Sequence, residues 1–97
     1  MAYDPGAIEA TLAAAVGDEP ALIAELRFAF TESAERALHQ LEQAADGESW
    51  RAAAWRLKGL AASFGAVRLM ALATAAAEGD PLDAAVLRGL RRAVGRL

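Results

Sequence analysis

A single histidine, a single lysine, two tryptophans and no cysteine set the chemistry open to this 97-residue chain. His39 carries the one imidazole, the side chain best suited to nucleophilic or acid–base work near neutral pH. At helical spacing it shares a polar side with Glu25, Glu32, Glu35 and Glu42, which reads as an ordinary surface histidine. Lys58 stands alone among 10 Lys+Arg residues, so a chain that otherwise uses arginine places a compact ammonium at one position. Without cysteine there is no disulfide framework and no thiolate metal site, and one histidine excludes a multi-histidine cluster. No metal and no cofactor is expected.

The formal charge of −3 argues against nucleic acid as the main partner. No apolar run approaches a membrane span, and no basic flank leads into an apolar stretch at the N-terminus. The expectation is a cytoplasmic domain without membrane contact. Residues 1–97 are read as one domain, since the length is too short for two cores. The hydrophobic fraction of 56% is rich enough for a packed interior. Much of it is alanine, which favours helix but buries little area, so the core must rest on Leu, Ile, Phe and Trp.

Five helical segments must position these groups. Asp4 and Pro5 begin a short first helix with the stripe Ile8, Leu12, Val16, ended by Gly17. Asp18 and Pro20 begin a second that runs to about 45, where Asp46-Gly47 breaks it. Its apolar stripe is Leu22, Ile23, Leu26, Ala29, Phe30, Ala34, Ala37, Leu38 and Leu41. Phe28 projects into the polar side, either covered by the first helix, the favoured reading, or part of a second apolar contact. Ser49 caps a third helix over about 49–64, ended by Gly65. A fourth over about 67–78 carries Leu69, Met70, Leu72, Ala73 and Ala76. Gly79-Asp80-Pro81 stops it and caps a fifth that buries Leu82, Val86, Leu90 and Val94. Arg88, Arg91, Arg92 and Arg96 on this last helix read either as a solvated face that complements its dipole, the favoured reading, or as a binding patch. The fold expected is all-α: an antiparallel up-and-down four-helix bundle with a short extra N-terminal helix lying across one end.

On the third helix, a rotation of about 100° per residue puts Trp50, Ala53, Ala54, Leu57, Leu60, Ala61 and Phe64 on the core face. Trp55 then faces solvent. Its neighbours Ala52, Gly59 and Ala62 are small, with Arg51 and Lys58 beside them and Arg56 next in the chain. Glycine inside a helix costs roughly 1 kcal/mol relative to alanine, so Gly59 calls for a reason.

The stretch from Ala54 through Trp55, Arg56, Leu57, Lys58, Gly59, Leu60, Ala61, Ala62, Ser63 and Phe64 to Gly65-Ala66 resembles the signature helix of bacterial histidine phosphotransfer (HPt) domains. That signature is Ala-His-x-Leu-Lys-Gly, then small residues, then an apolar residue before Gly-Ala. Ser49-Trp50 resembles the family's Asp-Trp helix start, Phe30-Thr31-Glu32 its Phe-x-Glu, and Arg68-Leu69 follows as in the family. The resemblance covers roughly residues 21–94. It implies a bundle that relays phosphoryl groups between receiver aspartates, with the lysine neutralising the phosphoryl group and the glycine leaving room for the receiver. Here Trp55 stands at the phosphorylated histidine. The indole nitrogen bears a hydrogen and its lone pair belongs to the aromatic system, so it cannot attack phosphorus.

The resemblance therefore implies a non-enzymatic pseudo-phosphotransfer module that binds a response-regulator receiver or a histidine kinase. Trp55, Lys58, Gly59, Arg51, Ala62, Ala52 and Arg56 would form its docking face, in a monomer or weak homodimer. Three alternatives stand beside it: a decayed face with no partner, an active phosphocarrier using His39, and a self-associating bundle with Trp55 in the contact. His39 lacks the Lys-Gly pair, and its neighbouring carboxylates repel an incoming phosphoryl group.

Overall fold

Helix-forming residues fill every long segment, and the turn residues between them fix where each helix stops. The computed structural model of the protein describes residues 5–17 and 19–97. Among these there are five helices and no strand: α1 (Pro5–Val16), α2 (Pro20–Gln43), α3 (Gly47–Ser63), α4 (Val67–Glu78) and α5 (Ala84–Gly95). In space α2 packs on α3, α3 on α4, α4 on α5 and α5 back on α2, while α1 packs on α2. No helix among the described residues is long and apolar enough to cross a membrane.

Trp50 organises the interior. It is fully buried in the first turn of α3, and its indole Nε1–H donates to the carbonyl of Ala76 at 2.9 Å. Ala76 lies in the last turn of α4, where carbonyls have no partner within the helix. The indole thus satisfies an orphan acceptor while filling the space between two alanine-lined helices. Phe30 of α2 stacks on Phe64 at the far end of α3, with ring centroids 4.7 Å apart. Ile8, Leu12, Leu41, Leu57, Leu69 and Leu90 complete the set of large buried side chains.

Local signals explain the ends. Asp46 is the N-cap of α3, its carboxylate accepting the Ser49 backbone N–H at 2.8 Å and the Ser49 hydroxyl at 2.7 Å. The expected cap, Ser49, is therefore the third residue inside the helix, and it orients the true cap. Gly65, at φ +72°, turns the chain out of α3. Gly65 N–H donates to Ala62 and Ala66 N–H to Ala61, the paired bonds of a Schellman motif. Asp83, rather than Gly79-Asp80-Pro81, caps α5 through the N–H groups of Ala85 and Val86. The caps expected at Asp4 and Asp18 lie outside the described residues; α2 begins at Pro20 behind Glu19, which makes no side-chain cap.

Three expectations about burial fail for one geometric reason each. Leu82 is 48% exposed, because α5 starts two residues later and Leu82 sits in the connection at φ +62°. Leu22 and Ala29 lie on the exposed surface of α2, and the helix's fully buried residues begin only at Phe30. At 24 residues α2 is about 36 Å long against about 18 Å for α4 or α5, so its first turns extend beyond those two helices, with α1 packed on α2. Phe28 on this overhang is 65% exposed, so α1 does not cover it. On α1 the stripe holds for Ile8 and Leu12, with Val16 half-buried, and Arg27 of α2 pairs with Glu9.

Trp50→Phe removes both packed volume and the donor to a buried carbonyl. It should destabilise the fold by about 2–3 kcal/mol, lowering Tm by roughly 10–20 °C. Trp55→Phe should cost less than about 0.5 kcal/mol in the same melts. Equal losses from the two would show that the Trp50 bond has no special weight. Asp46 gives a second check. Its pKa is lowered from the ordinary 3.8, first by the Ser49 backbone N–H, then by the Ser49 hydroxyl. A carboxylate depressed in the folded state adds stability above its unfolded pKa and loses it as pH falls through the folded value. Asp46→Asn should therefore flatten the acid limb of urea midpoints below about pH 4 while leaving neutral values nearly unchanged.

Candidate functional site

The exposed face of α3 is set by the burial of its opposite side. Trp50, Ala53, Ala54, Leu57 and Ala61 are buried, with Leu60 and Phe64 half-buried against the core. Trp55 is held about 140° around the axis from Trp50 and is 44% exposed. The two tryptophans occupy opposite environments on one helix, as the periodicity predicts.

Arg51, Ala52, Trp55, Arg56, Gly59 and Ala62 are all exposed, and Lys58 is half-buried. The structure brings some of these together and separates others. Lys58 lies over the Trp55 ring, its Nζ 5.9 Å from the centroid, near the outer limit of a cation–π contact. Among the described residues Lys58 pairs with no carboxylate. Ammonium and indole form one patch, an aromatic plate edged by positive charge. Arg51 leaves it: its guanidinium turns back toward the helix start, within 3.2 Å of where a Cβ on Gly47 would stand. From there its charge also helps hold the Asp46 carboxyl below its ordinary range, after the Ser49 and Glu48 hydrogen bonds. Arg56 is drawn to the α2 side, donating to the Gln40 side-chain oxygen.

Gly59 faces open space: a Cβ there would meet nothing within 4 Å. A Cβ at this position is therefore not excluded by packing, and glycine forgoes helix propensity there without a packing reason. Ser63, one turn on, returns its hydroxyl to the Gly59 carbonyl. Trp55, Gly59 and Ala62 form a surface strip with one large ring and no bulk beyond it.

His39 is exposed on α2, its Nδ1 3.9 Å from the Glu42 carboxylate. A shallow groove there is lined by Glu32, Glu35, Arg36, His39 and Gln40. Glu42 in turn accepts from Arg91 of α5 at 2.9 Å. No lysine is beside the imidazole, and the surrounding charge is mainly negative.

The chain matches no family model, no curated protein and no solved structure.

Fluorescence checks the central placement. In the native chain a red-shifted, acrylamide-accessible component should come from Trp55, and Trp55→Phe should leave only blue-shifted, protected emission from Trp50. Protected emission from Trp55 in the dilute monomer would remove the exposed patch.

Proposed function

We propose that the chain is a pseudo-histidine-phosphotransfer module, a domain that docks on a receiver or histidine-kinase domain through α3 without carrying phosphate. The observation that carries this reading is the open strip at Trp55, Lys58 and Gly59. Every other strong element of the HPt-like stretch has a task in the fold. Leu57 is buried, Phe64 stacks on Phe30, and Gly65-Ala66 closes the helix. Lys58 answers no carboxylate and Gly59 meets no neighbour. A cation and a cleared approach in mid-helix suit a partner bearing an acidic site, and a half-exposed tryptophan suits an interface anchor.

The reading includes the arrangement of the family: α2 to α5 as an antiparallel up-and-down bundle with α1 as an extra N-terminal helix. Short connections and the closed circuit of helix neighbours support it. So do the pairings along the helices. Gln40 lies beside Arg56 while Phe30 lies beside Phe64, and Glu42 beside Arg91 while Leu38 lines the same groove as Val94.

On this reading the phosphoryl-accepting step is missing for one reason, the nitrogen at position 55. In a relay the imidazole lone pair attacks phosphorus of an aspartyl phosphate; the N–P bond forms, the O–P bond breaks, and the aspartate carboxylate leaves. Transfer of this kind depends mainly on positioning and electrostatics. Lys58 would supply charge, and Gly59 with Ala62 would leave space.

Offered a phosphorylated receiver, the native chain should take no label, and Trp55→His should acquire some acid-labile, base-stable phosphate. Label on the native chain that disappears in His39→Ala would overturn the proposal in favour of a His39 carrier. In direct binding, Gly59→Gln should abolish docking while leaving or raising the melting temperature, and Trp55→Ala should weaken binding by at least about 2 kcal/mol. Binding that survives both changes places the interface elsewhere. A change in the native chain's chromatographic size on Trp55→Ala would mean that the face pairs with a second copy instead.

A further inference from the structure

The arginines of α5 do not share one fate. Arg91 is paired with Glu42, whereas Arg92 and Arg96, the C-cap residue just beyond the helix, line a groove shared with Arg68 from the first turn of α4 and with Leu72, Gly89 and Ala93. The groove encloses about 160 Å³. Among the described residues, none of these three guanidiniums pairs with a carboxylate or donates a hydrogen bond. Three cationic residues share this lining with no carboxylate among its residues, in a chain whose net charge is −3.

Helix dipoles do not account for this. The C-terminus of α5 offers roughly half an elementary negative charge, enough to balance part of one arginine. Arg68 sits at the opposite, positive end of α4, where a cation is disfavoured. Ala66, the N-cap of α4, supplies no side-chain cap that would offset that end. Bulk is also withheld from the groove wall, since a Cβ on Gly89 would meet nothing within 4 Å. The floor is apolar, with Ala93 buried and Leu72 half-buried.

Guanidinium forks match the oxygen geometry of phosphate in paired hydrogen bonds, and three of them suit a ligand of two or more negative charges. We propose that the α4–α5 groove is a binding site for a phosphate monoester or diphosphate group, held by Arg68, Arg92 and Arg96. The site is on α4 and α5, so it stands independently of the α3 docking reading. The same chemistry is found on soluble phosphorylated compounds and on monoester phospholipid headgroups.

The test is a titration of the full chain with inorganic pyrophosphate, followed by the NMR signals of backbone amides and arginine Nε–H groups. Saturable shifts should cluster at Arg68, Gly89, Arg92 and Arg96. Arg68→Gln, Arg92→Gln and Arg96→Gln should each weaken binding about tenfold. Gly89→Glu should abolish it by placing a carboxylate in the groove, without lowering the melting temperature. Arg88→Gln removes the same charge from α5 outside the groove and should change affinity less than twofold. A parallel arm uses phosphatidylcholine vesicles with and without phosphatidate. Recruitment that needs phosphatidate, fails in Arg92→Gln and is reversed by pyrophosphate assigns the site to a headgroup, while pyrophosphate binding without recruitment assigns it to a soluble ligand. Equal weakening by Arg88→Gln, shifts spread over all arginines, or no saturation by about 10 mM pyrophosphate with no phosphatidate-dependent recruitment would overturn the proposal.

Discussion

The bond from the Trp50 indole to the Ala76 carbonyl fixes the rotation of α3, and the identity of the exposed face follows from it. A helix lined by alanines has little shape to define its angle against a neighbour. One large ring with a directional donor supplies both shape and angle. Because the acceptor is an orphan carbonyl at the end of α4, the bond also sets the axial register of the two helices. With Trp50 inward, Trp55 has no choice but to face out.

That constraint divides the HPt-like stretch into two kinds of residue. Leu57, Phe64, Gly65 and Ala66 are accounted for by burial, ring stacking and a helix C-cap. Similar helices in unrelated bundles could arrive at them for folding reasons alone. Lys58 and Gly59 are not accounted for in that way, nor is a tryptophan on the wet side. On the proposed reading the functional weight rests on few positions, and the open space over Gly59 leaves that glycine without a packing reason.

Much of this was legible in the sequence. The limits of α4 followed from Gly65 and Gly79, and the opposed tryptophans followed from rotation per residue. The misreadings have physical causes. Asp46 reads as a breaker in the sequence and is a cap in the structure, because aspartate before glycine serves either purpose and only the Ser49 bond separates them. Leu82 fits the apolar stripe of α5 but precedes its first turn, since Asp83 starts the helix. The stripe at Leu22 and Ala29 is real, yet the overhang of α2 leaves it without enough neighbours. Within the candidate site, Arg51 and Arg56 point where long side chains find partners, which spacing on one helix does not specify. The arginine groove was out of reach for the same reason, since Arg68 joins Arg92 and Arg96 only when α4 and α5 pack.

Half of the buried apolar residues among those described are alanine, and this bears on how the domain responds to temperature. The heat-capacity increment of unfolding grows with the apolar area exposed, and an alanine releases little. Per residue, the increment should fall below the usual 12–15 cal/mol/K. A smaller increment gives a broader, shallower dome of stability, with weaker cold destabilisation and less dependence of folding enthalpy on temperature. A thin alanine interior held by a few large side chains thus trades maximal stability for constancy across a wide thermal range.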